Sequence, residues 1–281
     1  MSKTSKKVPW FPDQKGAWAM VIVPFWTGVA AGGFHWQHII LFLLWCSGYG
    51  FFFTAENWLH ARRRPNYRPP VVGWAIATGI LGLITLAVAG ALWPWLLWFL
   101  PLALIVAVHA LSGGDRSLLA RSATVLSAAL MAIIAWDLSV RAGAGSLSLF
   151  APDVLSSPWY PVLAGPSATR ALAVTAALAY YFWSTIPYVK SILRERKTRG
   201  YGVFVVLVHA AGLIAAIVAA LTGILSWWLP AMWVILSARA AYFLYLGRYR
   251  KGSAVNAKKL VITLGVVETV ISIFYAAATL A

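Results

Sequence analysis

Tyr188–Tyr201 reads YVKSILRERKTRGY and carries six formal charges directly after an apolar run. Lys190, Arg194 and Lys197 recur at i, i+4 and i+7, a spacing that predicts one cationic face on a helix just outside a bilayer. Glu195 is spaced to reach Arg199 one turn on, which leaves the Lys190 face to meet something anionic. An earlier stretch, Glu56–Pro70 (ENWLHARRRPNYRPP), has the same plan: a long apolar run ends in Arg62, Arg63, Arg64 and Arg68, and prolines precede the next run. These two basic exits are read as the working face of the molecule.

The apolar runs around them set the fold class. The chain has 281 residues, 61% of them hydrophobic, with a mean hydropathy of +0.78 and only 11% charged. So few charges cannot cover the surface of a water-soluble domain of this size, and repeated apolar runs of about 20 residues are the length a spanning helix needs. The expectation is an all-α polytopic membrane protein. A net charge of +16 would suggest nucleic acid in a soluble chain. That partner is rejected here, because the cations fall in short segments between the runs. A single cysteine, Cys46 within a run, excludes an internal disulfide and a cysteine-based metal cluster.

Nine spans are predicted, at 17–34, 38–56, 71–91, 94–110, 118–140, 168–188, 203–225, 228–247 and 260–280, separated by glycine and proline punctuation. The first follows Lys3, Lys6, Lys7 and Lys15 but is longer than a signal core, so it counts as a span. With the N-terminus inside, segments 1–16, 57–70, 111–121, 189–201 and 248–259 take all but three of the 23 Lys and Arg residues. That asymmetry predicts a cytoplasmic N-terminus and an outside C-terminus. The domain reading is a basic tail (1–16), a first helical half (17–141), an outer loop (142–166) and a second half (167–281). The halves show a coarse repeat of four spans: spans two and six end in the basic exits, and Trp93-Pro94-Trp95 and Trp227-Trp228-Leu229-Pro230 join the next pairs on the outer side, where Trp favours the headgroup boundary.

Candidate chemistry is sparse. The basic exits have a topogenic explanation, in which they hold spans in place and touch anionic lipid. They also suit phosphate, which arginine grips bidentately, and Tyr67, Tyr188 and Tyr201 would add hydroxyls. Arg239 and Glu268 sit at matched depth, roughly 12–13 Å from the inner ends of spans eight and nine. They predict an ion pair, either a structural clamp or part of a polar cavity. His209 lies about 10 Å deep in span seven. Glu56 and Asn57 close span two, and His109 closes span four. Asp137 and Arg141 read as a local salt bridge only. Glu56 and His209 are the weak candidates for a proton-accepting catalytic role. No nucleophile motif, phosphate-cradling glycine loop or metal-ligand histidine pair is present, so no metal and no Mg²⁺ site is predicted.

The opening DQKGAWAMVIVPFWTG (Asp13–Gly28), the span-six exit STIPYVKSILRERK (Ser184–Lys197) and His209 together resemble the YwiC-like family of bacterial integral membrane proteins, which has no assigned activity. The family motif reads HGAWAM, and Lys15 stands here where its histidine would be. The resemblance implies a multi-pass protein of the bacterial cytoplasmic membrane. More remotely, nine helices with polar loops after spans two and six resemble the UbiA superfamily of intramembrane prenyltransferases. Those enzymes place Asp-rich, Mg²⁺-binding motifs at both exits. Here one carboxylate remains at each, Glu56 and Glu195, amid cations that would neutralise a phosphate without metal.

The leading functional reading is a cytoplasm-facing cavity that binds, or also transfers, an amphiphile with an anionic head, such as a prenyl phosphate or quinone precursor. Lys15, Arg62, Arg63, Arg64, Arg68, Lys190, Arg194 and Arg196 would meet the head, and Glu56, His209, Arg239 and Glu268 would line the cavity. Membrane lipids are the expected partners. The alternatives are a transporter or flippase gated by Arg239–Glu268, and a structural or assembly partner of a membrane complex.

Overall fold

The structure, a computed structural model, describes residues 8–12, 15–113, 117–156, 165–193, 195, 198–249 and 257–281. Each of the nine apolar runs is helical: α1 Lys15–Gly32, α2 Gln37–His60, α3 Arg68–Ala89, α4 Trp95–Leu111, α5 Leu118–Gly143, α7 Pro166–Leu193, α8 Arg199–Leu221, α9 Trp228–Tyr249 and α10 Ala257–Leu280, with a single-turn α6 at Pro152–Ser156. Regular backbone hydrogen bonding is the condition for placing these runs in hydrocarbon. Among the described residues, six helices are long and apolar enough to cross a membrane, namely α2, α3, α5, α7, α8 and α10. The apolar stretches Gly16–Gly32, Trp95–Leu111 and Trp228–Leu244 are shorter. The protein is a multi-pass, all-α membrane protein. Large apolar side chains stand exposed along these helices, among them Leu83, Leu104, Leu207, Ile214 and Phe274, as lipid-facing positions require.

The helices form two compact units. The first holds α2, α3, α4, α6 and both ends of α5. Its α2–α3 hairpin closes where Gly50 leaves room for the Trp74 ring, since a Cβ there would come within 2.7 Å of it. Trp74 also donates its indole N–H to the Trp10 carbonyl at 2.9 Å, and Phe11 packs edge-on against it. The helical turn α6 folds back so that Ala151 and Val154 bury against Ala91 and Trp93.

The second unit holds α1, the Thr124–Trp136 stretch of α5 and α7–α10. Its core joins Val23, Val125, Leu178, Tyr181, Leu225, Trp233, Leu236 and Tyr275. Glycines set the closest approaches. Gly28 of α1 lies on the Ala132 backbone of α5, and Gly212 of α8 lies under the Trp233 ring of α9. A smaller cluster of Tyr188, Ile192, Val205, Ala240 and Leu264 closes the end of α7–α10 nearest the second basic exit.

Candidate functional site

Two buried polar centres and one exposed cationic turn carry the chemistry. The turn follows α2. The N–H of Arg62 bonds to the Leu59 carbonyl and that of Arg63 to the Trp58 carbonyl, both at 2.9 Å. This is the paired closure of a helix C-terminus that usually places glycine in the left-handed region. Here Arg62 (φ 53°) and Arg63 (φ 58°) occupy that region in succession. Each non-glycine residue held so costs about 1–2 kcal/mol. Arg62, Arg63, Arg64 and Arg68 are all exposed. One turn earlier, Asn57 Nδ2 and Trp58 Nε1 are buried donors without an acceptor among the described residues. Glu56 is half-buried on the same stretch of α2.

The second basic exit is built differently from the expectation. α7 stops at Leu193 and α8 starts at Arg199, so no helix carries Lys190 through to Lys197 on one face. The chain turns instead, with the Glu195 N–H on the Lys190 carbonyl at 3.0 Å. That turn brings Glu195 Oε1 to 3.7 Å from Lys190 Nζ, where the helical spacing had assigned Glu195 to Arg199. Lys190 also lies over the Tyr201 ring at 5.0 Å. Tyr188, expected beside the basic exit, is fully buried instead. Arg194 and Arg196 lie outside the described residues, as do the side chains of Lys15 and Arg199.

The first buried centre lies in the C-terminal unit. Arg239 of α9 donates from Nη1 to Glu268 Oε1 of α10, and both side chains are nearly sealed from solvent. Tyr181 of α7 donates to Glu268 Oε2 at 3.1 Å and stacks on Tyr275 at 4.5 Å. Trp233 donates its N–H to the Tyr275 hydroxyl at 3.0 Å, which donates on to the Ala177 carbonyl. Tyr188 presents its ring face to the Arg239 guanidinium at 4.3 Å, and its ring meets that of His209 in a T-shaped arrangement at 6.1 Å. The centre therefore joins Arg239, Glu268 and His209 with three tyrosines and a tryptophan. Of those aromatic residues, Tyr181, Tyr275 and Trp233 were not singled out from sequence, and Tyr188 was assigned to the basic exit instead. The available signal was that a Tyr or Trp buried in a span needs a partner for its polar end. Arg239→Ala is expected to lower stability by about 3–5 kcal/mol, because it strands the Glu268 carboxylate, whereas Arg239→Leu with Glu268→Leu costs far less. Melting of the detergent-solubilised variants checks this, and equal shifts would sink it.

The second buried centre corrects the reading of Asp137 and Arg141 as a local bridge. Both side chains are about 98–99% buried, with Arg141 Nε 3.0 Å from Asp137 Oδ1. Trp95 of α4 donates its indole N–H to Asp137 Oδ2 at 2.8 Å. Trp95 is itself buried, not a headgroup-boundary anchor. Ser139 lies 3.3 Å from Nε2 of the fully buried His38 of α2. The centre thus ties α2, α4 and α5 together inside hydrocarbon-facing helices, where polar groups must find partners within the protein. Among the described residues, no group of three or more His, Cys, Asp or Glu side chains is arranged to hold a metal ion.

Residues 11–136 match the YwiC-like protein family. The YwiC-like stretch runs from Phe11 through Trp136, so it includes the arginine turn, His38 and Trp95, and ends one residue before Asp137. A Bacillus subtilis (strain 168) protein described as "Uncharacterized protein YwiC" is 28% identical over 194 residues, which cover 68% of this chain and 70% of that protein. No solved structure matches the chain significantly.

Proposed function

We propose that the whole chain is a nine-span YwiC-like protein of the bacterial cytoplasmic membrane, N-terminus inside and C-terminus outside, that binds an amphiphile with an anionic head at the α2–α3 turn. The observation that carries this reading is the pair Arg62–Arg63 held left-handed with exposed side chains. Topology alone needs positive charge somewhere after α2. It does not need arginine at the two positions where glycine would relieve strain, so strain retained here favours a role for the side chains themselves. Guanidinium groups match phosphate oxygens in pairs, and the donors of Asn57 and Trp58 on the preceding turn lack acceptors among the described residues, which such a head would supply.

An apolar cleft lined by Leu44, Leu83, Leu86, Trp93 and Leu96 lies further along the same hairpin. Its nearest wall, Gly79, is about 16 Å along α3 from Arg68, a distance an isoprenoid tail spans. The plan of cationic exits after spans two and six, resembling the UbiA superfamily, gives the amphiphile its class: a prenyl phosphate or quinone precursor. Arg64 and Arg68 of the same turn complete the head-group set in this reading, and Glu56 is the proton acceptor if transfer accompanies binding.

The test exploits the strain. Arg62→Gly/Arg63→Gly removes both cations from a turn that glycine suits better, so it is expected to hold or raise the melting temperature, by about 1 kcal/mol per position. Native mass spectrometry in mild detergent should show one isoprenoid-phosphate or quinone-like mass on the wild type, reduced at least about tenfold in the variant, a loss of about 1.4 kcal/mol of binding. Bulk phospholipid alone, equal in both, would return these arginines to a topogenic role. The buried Arg239–Glu268 pair favours a second reading, a transporter in which that pair is a gate. Proton-coupled uptake into liposomes is its readout.

A further inference from the structure

The hydrogen-bond inventory of the C-terminal unit does not close. Around Tyr188, the polar groups of the neighbouring aromatic residues are committed. Tyr181 serves Glu268, Tyr180 donates to the Val208 carbonyl at 2.8 Å, and Trp233 serves Tyr275. Three buried atoms remain without a partner among the described residues: the Tyr188 hydroxyl, His209 Nε2 and Arg239 Nε. They belong to one cluster. The Arg239 guanidinium lies on the Tyr188 ring at 4.3 Å, and the His209 ring meets that same tyrosine at 6.1 Å. Tyr188 and His209 are at most 2% exposed. Neighbouring polar atoms left unpaired together in a membrane-spanning core are the signature of a place where another molecule bonds.

The atoms define what that molecule must be. His209 Nδ1 lies 2.8 Å from the Val205 carbonyl. A carbonyl only accepts, so Nδ1 carries the proton and Nε2 of the neutral ring is a bare acceptor. Arg239 Nε–H is a donor only. The charge of Arg239 is already met by Glu268, so a second anion would enter unbalanced. The group that fits is neutral, donates one hydrogen bond and accepts another. We infer that Tyr188, His209 and Arg239 form a second, buried binding site that takes a hydroxyl group, which donates to His209 Nε2 and accepts from Arg239 Nε–H, with the Tyr188 hydroxyl as the third partner. The hydroxyl comes from water or from the alcohol or phenol head of a membrane-soluble molecule. What binds at the arginine turn has no bearing on this site.

Solid-state NMR of the full chain in phosphatidylcholine–phosphatidylglycerol vesicles, with ¹⁵N-histidine, tests it directly. The His209 signals are assigned by their disappearance in His209→Phe. The site requires His209 Nε2 to show the shift of a hydrogen-bond acceptor. Transfer to it from water protons identifies water, and transfer from non-exchangeable protons of a retained molecule identifies an organic hydroxyl. A bare lone-pair shift without transfer from either source, or a doubly protonated imidazolium, overturns the proposal. Tyr188→Phe gives a second reading that needs no label. A drop of several degrees in melting temperature is expected when a bonded hydroxyl is removed, and an unchanged or raised value would show that the hydroxyl bonds to nothing and exclude it from the site.

Discussion

Asp137→Ala is expected to lower stability by about 3–5 kcal/mol, the cost of breaking a buried ion pair by removing one member. Two groups each lose a charged acceptor at once. The Arg141 guanidinium is left with 2% exposure, and the Trp95 indole N–H loses its acceptor. Water cannot rescue either group within spanning helices, which is why the effect should greatly exceed that of a surface pair. Glu195→Ala is the internal reference, because the Lys190–Glu195 pair is partly solvent-accessible and such surface pairs contribute about 0–1 kcal/mol. Unfolding of the detergent-solubilised variants measures both. If the Asp137 variant melts with the Glu195 variant, the centre is hydrated and the Trp95–Asp137 bond is not what joins α4 to α5.

Gly28→Ala should prevent α1 from docking at all. A Cβ at Gly28 would stand 1.9 Å from the Ala132 carbonyl oxygen and 2.8 Å from its carbon. These are backbone atoms, so no side-chain rotation relieves the overlap, and the helices must part. Loss of close helix–helix packing in a membrane has no hydrophobic compensation, since lipid tails are as apolar as the displaced surface. A cost of about 3 kcal/mol is expected, the upper end for overpacking, read as lost folded yield or a collapse in melting temperature. Gly48→Ala is the matched control. Nothing lies within 4 Å of its added Cβ, and helix propensity alone should favour alanine by about 0.5–1 kcal/mol. Opposite signs for one chemical change would establish that contact, and not glycine content, governs these helices. Equal effects would refute the close α1–α5 crossing.

Sequence periodicity located every long helix, because apolar run length and glycine–proline punctuation are local properties that the backbone obeys directly. The start of α5 at Leu118 and that of α9 at Trp228 coincide with the expected boundaries, and α7 overran its expected end at residue 188 by five residues. Helical spacing failed at the second basic exit for a physical reason. It presumes that the helix continues, and the chain breaks after Leu193, turning Glu195 back onto Lys190. At the first exit, the run of arginines was legible but their left-handed backbone was not, since nothing in the letters Arg-Arg-Arg distinguishes a turn held in strain from a solvated loop.

Run length, composition and charge placement thus determined, by themselves, a helical multi-pass membrane protein with cationic turns, because hydrocarbon demands apolar runs with satisfied backbones and expels charge to the ends. Which polar side chains meet was decided only by tertiary structure. Asp137 reached Trp95 and His38 reached Ser139, and Tyr188 turned from a surface hydroxyl into a buried neighbour of Arg239. Those meetings depend on how helices are rotated about their axes and how closely glycines let them approach, and such rotation is set by packing between segments far apart in the chain.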